Sequence, residues 1–404
     1  MDECIKAVSQ ERRAGRQFGQ AERFGLKQAE KVNAFHKSFP EYSVTPLARL
    51  KNLADILGTA DIYVKDESFR FGMNAFKVLG GSYCLGRFIA QRLGKAIEEM
   101  SYENLVSSET RRSIENLIFV TATDGNHGRG IAWTANSLGV KSVVYMPKGS
   151  SAERLENIRE LGAKAFITEM NYDDTVRFAA DMAEKNDWIL VQDTAWEGYE
   201  TIPGWIMEGY TTMVYEAVKQ LQGLKPTHVF LQAGVGAMSG AVTGFFVDVY
   251  KEACPIIVIV EPNKADCIYR TAEAADGKLH AVTGNIDTIM AGLACGEPCT
   301  IGWNILSQYA DHFVSVPDYV AAKGMRILGN PIGDDPKVIS GESGASTLGF
   351  IAEVMQNQSL DWLKHVLKLN CDSRILCIST EGDTDQVSYR NIVWDGKYPS
   401  ASLC

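Results

Sequence analysis

The chain predicts an α/β protein of two domains, each a mostly parallel twisted sheet flanked by helices. Three observations carry that expectation. Short β-branched runs alternate with amphipathic stretches along nearly the whole length. The runs are almost continuously apolar, which suits strands buried on both faces. Two successive helical stretches close on Leu-Gly, at Leu138-Gly139 and Leu161-Gly162, and pass at once into a strand. With 404 residues, 46% hydrophobic and 22% charged, there is material for two cores of ordinary size.

In order, the strand expectations are Ile-Tyr-Val at 62–64, Leu-Ile-Phe-Val-Thr at 117–121, Ser-Val-Val-Tyr-Met at 142–146 and Ala-Phe-Ile-Thr at 165–168. They continue with Trp-Ile-Leu-Val-Gln at 188–192, His-Val-Phe-Leu-Gln at 228–232, residues 256–261 and Ile-Leu-Cys-Ile-Ser at 375–379. Helices are expected at 128–138, 152–161, 172–185 and 209–221. The third is the clearest, with its apolar residues recurring at the helical period. The compact strand-helix units place a small domain at 85–194, and residues 1–84 and 195–404 form the large one. A cleft between two such domains is where a ligand is expected.

The formal charge of -10 and the lack of a Lys/Arg-rich block disfavour nucleic-acid binding. Met1-Asp2-Glu3-Cys4 leads into Glu11-Arg12-Arg13 with no apolar core of a secretory signal. The most apolar regions are broken by Gln232, Asp248, Lys251 and Glu252 before membrane-spanning length. A cytoplasmic protein with no membrane partner is the expectation. The nine cysteines, at 4, 84, 254, 267, 295, 299, 371, 377 and 404, include no C-x-x-C pair, so no structural metal is expected. Reduced thiols are expected, with a Cys267–Cys295 bridge the one pairing left open.

Four stretches carry chemistry. Lys77 stands in Asn74-Ala75-Phe76-Lys77-Val78-Leu79-Gly80-Gly81, a place where a lysine can be fixed beside a phosphate-bearing cofactor. Lysine forms Schiff bases and loses its proton readily when buried. Thr121-Ala122-Thr123-Asp124-Gly125-Asn126-His127-Gly128 joins a strand to a helix and suits an anion at the helix start. Asp124 serves equally as an N-cap, Asn126 as a turn residue, and His127 as a satisfied helix-start histidine. Gln232-Ala233-Gly234-Val235-Gly236-Ala237-Met238-Ser239-Gly240 allows close backbone approach to a phosphate. Its third glycine comes one residue late for a dinucleotide fingerprint, which disfavours a nicotinamide dehydrogenase. No G-x-x-x-x-G-K-[ST] supports nucleotide hydrolysis. Cys377-Ile378-Ser379-Thr380-Glu381-Gly382-Asp383 ends the last strand, and its hydroxyls suit a heterocyclic nitrogen; alone, it reads equally well as an acidic loop.

In this order, across roughly residues 45–385, the four stretches resemble the fold-type II pyridoxal-phosphate enzymes, which include threonine dehydratases, serine racemases and tryptophan synthase β-subunits. The resemblance implies pyridoxal 5'-phosphate held as a Schiff base by Lys77, next to Phe76. It places Asn126 at the ring hydroxyl and Gly234, Val235, Gly236, Ala237 and Met238 around the phosphate. It places Thr380 near the pyridine nitrogen, with Ser379 as the alternative. Ser340-Gly341-Glu342-Ser343-Gly344-Ala345 resembles a stretch found near the ring in dehydratases. A neutral hydroxyl at that nitrogen makes a weaker electron sink, which suits β-elimination over transamination. The resemblance also implies a homodimer.

The chain departs from the dehydratases at Thr123-Asp124 and at Ala75 before Phe76-Lys77. Residues 70–83, 121–128 and 192–199 resemble instead the diaminopropionate ammonia-lyase branch. That branch implies β-elimination of D- and L-2,3-diaminopropionate, a small amino acid, to pyruvate and two ammonia. An amine leaves only when protonated, so an acid is needed near Cβ. Opposite configurations present the α-proton on opposite faces, so one base does not reach both. The resemblance gives Asp124 to the D isomer and Asp193, with Lys77, to the L isomer. Asp193 reads equally well as a turn-capping carboxylate. A threonine or serine dehydratase, a serine racemase and a non-catalytic cofactor-binding protein stay open as alternatives.

Overall fold

The computed structural model describes residues 4–10, 19–123, 125–284 and 286–400. The described residues form eleven strands: β1 (Lys6–Ser9), β2 (Leu47–Arg49), β3 (Asp61–Asp66), β4 (Ile118–Ala122), β5 (Lys141–Met146), β6 (Lys164–Ile167), β7 (Ile189–Leu190), β8 (His228–Gln232), β9 (Ile256–Pro262), β10 (His312–Val316) and β11 (Arg374–Ser379). Seven form one sheet in the order β1-β10-β9-β8-β11-β3-β2, and four form a second in the order β6-β5-β4-β7. The smaller sheet is parallel throughout. In the larger one only the edge strands β1 and β2 run antiparallel.

Alternation along single strands explains the two-sided burial. In β8, Val229 and Leu231 enter one apolar core while Phe230 enters the other. In β9, Ile257 and Ile259 face the first core, and Val258 and Val260 the second. All seven side chains are at most 1% exposed, each worth about 1.5–3 kcal/mol of transfer free energy. A strand with both faces covered reads as an unbroken apolar run because no face is left for polar residues.

Register sets the ends. Ser379 of β11 pairs with Asp66 of β3, and Gln232 of β8 with Val260 of β9. The carboxyl ends of β3, β8 and β11 therefore stop together, and the chain leaves each toward the second sheet. In open parallel sheets this is the edge where ligands bind.

From β3 the chain reaches Lys77 through a tight segment in which Phe71 and Asn74 both have left-handed backbones, φ 50° and 56°. Neither is glycine, so each costs on the order of 1 kcal/mol. A fully buried ion cluster holds this segment. Arg70 donates from Nε and Nη2 to Glu67, at 2.8 and 2.9 Å, and from Nη1 and Nη2 to Glu216, at 3.0 and 2.8 Å. Lys65 Nζ donates to Glu216 Oε2 and to the Thr45 carbonyl. Lys65, Glu67 and Arg70 are 0% exposed, and Glu216 4%. Burial raises the Glu216 carboxyl, but hydrogen bonding and charge from Arg70, then Lys65, outweigh it and hold it at about 2. Two cations and two anions thus balance, tying the segment to the helix Thr201–Gln220.

Gly80 and Gly81 lie inside the helix Lys77–Arg92. A Cβ on Gly80 would come within 2.6 Å of Tyr210, and one on Gly209 within 2.4 Å of the Leu79 carbonyl. The glycines let two helices touch backbone to backbone, and this contact fixes the first turn of the lysine helix.

The expected strands are present within a residue or two, except that 188–192 pairs only over Ile189–Leu190. Strands β1, β2 and β10 were not expected. The helix foreseen at 209–221 begins earlier, at Thr201, with Pro203 in its first turn, where proline is tolerated. Among the described residues no helix is long and apolar enough to cross a membrane. Cys267 and Cys295 are thiols and are not bridged to each other.

Because the ion cluster is buried, removing one partner leaves charge without compensation. Glu216→Ala should lower unfolding free energy by about 3–5 kcal/mol in urea titration. A loss below about 1 kcal/mol would show that the cluster does not hold the Lys77 segment.

Candidate active site

The ends of both sheets line one cleft, the kind of place where small molecules bind. Phe76, Lys77, Asn126, Asp193, Gly234, Val235, Gly236, Ala237, Met238 and Thr380 all line it, although they are scattered over some 300 residues of sequence. Asp124 lies outside the described residues.

Lys77 opens its helix, and its Nζ is hydrogen-bonded and ion-paired to Asp193 Oδ2. The pair crosses the cleft, because Asp193 follows β7 of the smaller sheet. Gln192 fixes it there: its Oε1 accepts from the Thr121 hydroxyl at 3.1 Å and the Ala122 N–H at 3.0 Å, at the end of β4. The Tyr199 hydroxyl accepts from the Gln192 N–H and donates to the Leu190 carbonyl, each at 2.9 Å. Burial works to raise the Asp193 carboxyl. The charges of His127 and Lys77 and the lysine hydrogen bond outweigh it, and hold the carboxyl down at about 2. Asp193 is therefore a carboxylate at neutral pH.

The His127 Nε2 lies 2.8 Å from the Val191 carbonyl, as expected of a satisfied histidine. Its Nδ1 also faces Asp193, at 3.8 Å. That proximity is invisible in sequence, because it depends on where β7 ends.

At the far side of the cleft, Gly236 caps the helix Ala237–Tyr250 with φ 89°. A Cβ on Gly234 would come within 3.2 Å of Leu293 Cα, and one on Gly236 within 3.0 Å of Ile268. The turn is therefore restricted to glycine, and it precedes a helix start whose N–H groups have no helical acceptor. Such a cradle fits a phosphate. The late third glycine, Gly240, packs against Gly302.

Thr380 and Ser379 part company. Ser379 turns away, donating to Ser340 Oγ at 2.8 Å. Thr380 lines the cleft, and its hydroxyl accepts from Gln232 Nε2 at 2.9 Å. With its oxygen already accepting, that hydroxyl has its own hydrogen left to give, which suits an unprotonated ring nitrogen. Ser343 Oγ, also lining the cleft, is buried with no hydrogen-bond partner. A lysine, a glycine-cut anion cradle, a donor for a ring nitrogen and a polar atom left unpaired together fit a phosphorylated pyridine aldehyde.

Two further residues, Gln232 and Glu381, have no role that the sequence pattern reveals: both stand at strand ends that only folding aims at the cleft. Glu381 accepts from Asn126 Nδ2 at 2.5 Å. Glu342 is buried beside them, bonded by the Ser388 hydroxyl at 2.6 Å. Burial, with the nearby Glu381 charge, pushes its carboxyl up to about 7, against the Ser388 hydrogen bond.

Folding thus favours the neutral form of Glu342. Its contribution is full below the ordinary carboxyl range and is lost as pH rises through about 7. Glu342→Gln should remove that slope and make the protein more stable at pH 8 by up to about 3 kcal/mol. Thermal unfolding across pH 5–8 measures it; parallel curves for both proteins would contradict the assignment.

A family model described as pyridoxal-phosphate dependent enzyme matches residues 39–372. The diaminopropionate ammonia-lyase of Salmonella typhimurium (strain LT2) is 52% identical over 370 residues, covering 91% of this chain and 92% of that one. Diaminopropionate ammonia lyase from Escherichia coli, solved in complex with D-serine, matches with a TM-score of 0.92 at 48% identity over 99% of both chains. The same enzyme in complex with an aminoacrylate-PLP azomethine reaction intermediate matches at 0.90, again with 48% identity and 99% of both chains. Such agreement in sequence and fold places the chain in the fold-type II pyridoxal-phosphate-dependent enzymes, in their diaminopropionate ammonia-lyase branch.

Proposed function

We propose that this chain eliminates ammonia from both isomers of 2,3-diaminopropionate, leaving pyruvate and a second ammonia. The observation that carries the reading is the Lys77–Asp193 pair in a cleft that also holds the Gly234–Met238 cradle. When bound, pyridoxal phosphate supplies an electron sink for the carbanion at Cα.

The residues around it divide the work. Lys77 would hold the cofactor aldehyde, and its amine would yield that place to the substrate α-amino group. A carboxylate then takes the α-proton, and the Cβ–N bond breaks with its electron pair leaving on nitrogen. That nitrogen departs as ammonia only if a proton reaches it, so the protonated carboxyl is placed to return one. Water completes the sequence by hydrolysing the released enamine to pyruvate and ammonia. Asp193, kept ionised beside Lys77, is the base for the L isomer. Asp124, two residues before Asn126 in the sequence, is the base for the D isomer. Residues 234–238 would hold the phosphate, Asn126 the ring hydroxyl and Thr380 the ring nitrogen.

Dehydratases and racemases do not require this carboxylate, because hydroxide departs or a proton is simply returned. Residues 85–194, which contain the smaller sheet, form the small domain of this reading, and 1–84 with 195–404 the large. A cytoplasmic homodimer with a small amino acid as its partner completes it.

Lys77→Ala should abolish turnover of both isomers. Asp124→Asn should slow the D isomer by about 10²-fold or more and spare most L activity, with Asp193→Asn showing the reverse. Pyruvate and ammonia release from each isomer, and from serine, checks both points. Equal losses on the two isomers would remove the division of labour, and faster turnover of serine would favour a dehydratase.

A further inference from the structure

Glu381 is a carboxylate in an unusual setting. It is 6% exposed, and no ion pair to it is found among the described residues. Its oxygens take the Asn126 Nδ2 at 2.5 Å and the Ser343 backbone N–H at 3.3 Å. Arg129, half-buried nearby with its Nε lacking a hydrogen-bond partner, feels its charge from a distance. A buried carboxylate with so little compensation is costly, and such a cost at a site calls for a use.

The backbone of Glu381 is fixed from two sides. Its carbonyl accepts from the Gly341 N–H at 2.9 Å, and the next residue, Gly382, donates to the Asn74 carbonyl at 3.1 Å. Glu381 also bridges to Ala75, two residues before Lys77. A Cβ on Gly341 would come within 3.0 Å of Glu381 Cγ, so the space beside the side chain is cut to glycine. The carboxylate is thus held by the larger sheet. Its partner Asn126 opens the helix that follows the smaller sheet's β4.

The consequence is chemical. An ionised carboxylate only accepts hydrogen bonds, whereas an asparagine amide has a donating and an accepting end. Glu381 therefore dictates which end of Asn126 it meets. The amide nitrogen must face Glu381, and of its two hydrogens one is used there. The second remains for the cleft that Asn126 shares with Lys77 and Thr380.

We propose that Glu381 is a positioning residue: it locks the Asn126 amide so that an N–H, and not the carbonyl oxygen, is offered to the ring oxygen of the cofactor. The same bond ties the ends of the two sheets together across the cleft. This rests on the cofactor reading given above. If that reading fails, the wild-type chain forms no coloured complex at all. If only the present inference fails, wild-type binding is intact.

The test is a double-mutant cycle on the dissociation constant for pyridoxal phosphate, read from the visible absorption of the bound form. In Glu381→Gln the side-chain shape is kept, but the group donates as well as accepts, so Asn126 is released to turn either way. The variant should bind about tenfold more weakly, the loss of one oriented hydrogen bond. In an Asn126→Ala background the same change should alter binding by less than about twofold, because nothing is left to orient. An equal loss in both backgrounds, or no loss in the native one, overturns the proposal. Thermal unfolding of the cofactor-free variants controls for folding. Should the glutamine variant not fold, Glu381→Asp keeps an acceptor-only group. Its binding should then also be coupled to Asn126, and independence from Asn126 would overturn the proposal.

Discussion

The ion pair between Lys77 and Asp193 is the contact on which the rest of the molecule converges. It joins the start of the helix Lys77–Arg92, which follows β3 of the larger sheet, to the strand-end of the smaller one. A buried carboxylate raised by desolvation would be a neutral acid and a poor proton acceptor. The amine of Lys77, with His127 on the other side, keeps it ionised. In turn the carboxylate lies against an amine that is only partly exposed. Without such a partner a buried carboxylate is costly.

Holding that pair requires accuracy at both ends, and the fold supplies it by different means. On the lysine side the devices are two left-handed residues, a buried four-charge cluster and a contact between helices cut to glycine. The strain at Phe71 and Asn74 is small beside what Arg70, Lys65, Glu67 and Glu216 hold in place. On the aspartate side the devices are side-chain amides and a phenol: Gln192 on β4, and Tyr199 on Gln192. Neither side depends on regular backbone pairing at the site itself. Parallel sheets bring the strand ends close, and side chains set the final positions.

Much of this was legible in the sequence. The apolar runs gave eight of the strands because two-sided burial leaves a strong signal. Lys77, Asn126, the Gly234–Met238 turn and Thr380 each sit where a strand ends or a helix begins, and such places are marked by glycines and small polar residues. What stayed hidden has physical reasons. β1 and β2 are short edge strands with polar residues among the apolar ones. His312-Phe313-Val314-Ser315-Val316 alternates weakly and was passed over, although it lies inside the sheet. Pro203 masked the start of a helix. Gly80-Gly81 serves close helix packing, a use that depends on Tyr210 and Ile206 far along the chain. The directions of His127, Gln232 and Glu381 depend on contacts 60 to 250 residues away in sequence, which no local pattern encodes.

The account rests on a covalent link between the Lys77 amine and the cofactor aldehyde. Its most direct test is borohydride reduction of the protein with pyridoxal phosphate, followed by peptide mass spectrometry. The account predicts one reduced adduct, on the peptide that carries Lys77. An adduct on another lysine, or none on a protein that turns over substrate, would contradict it.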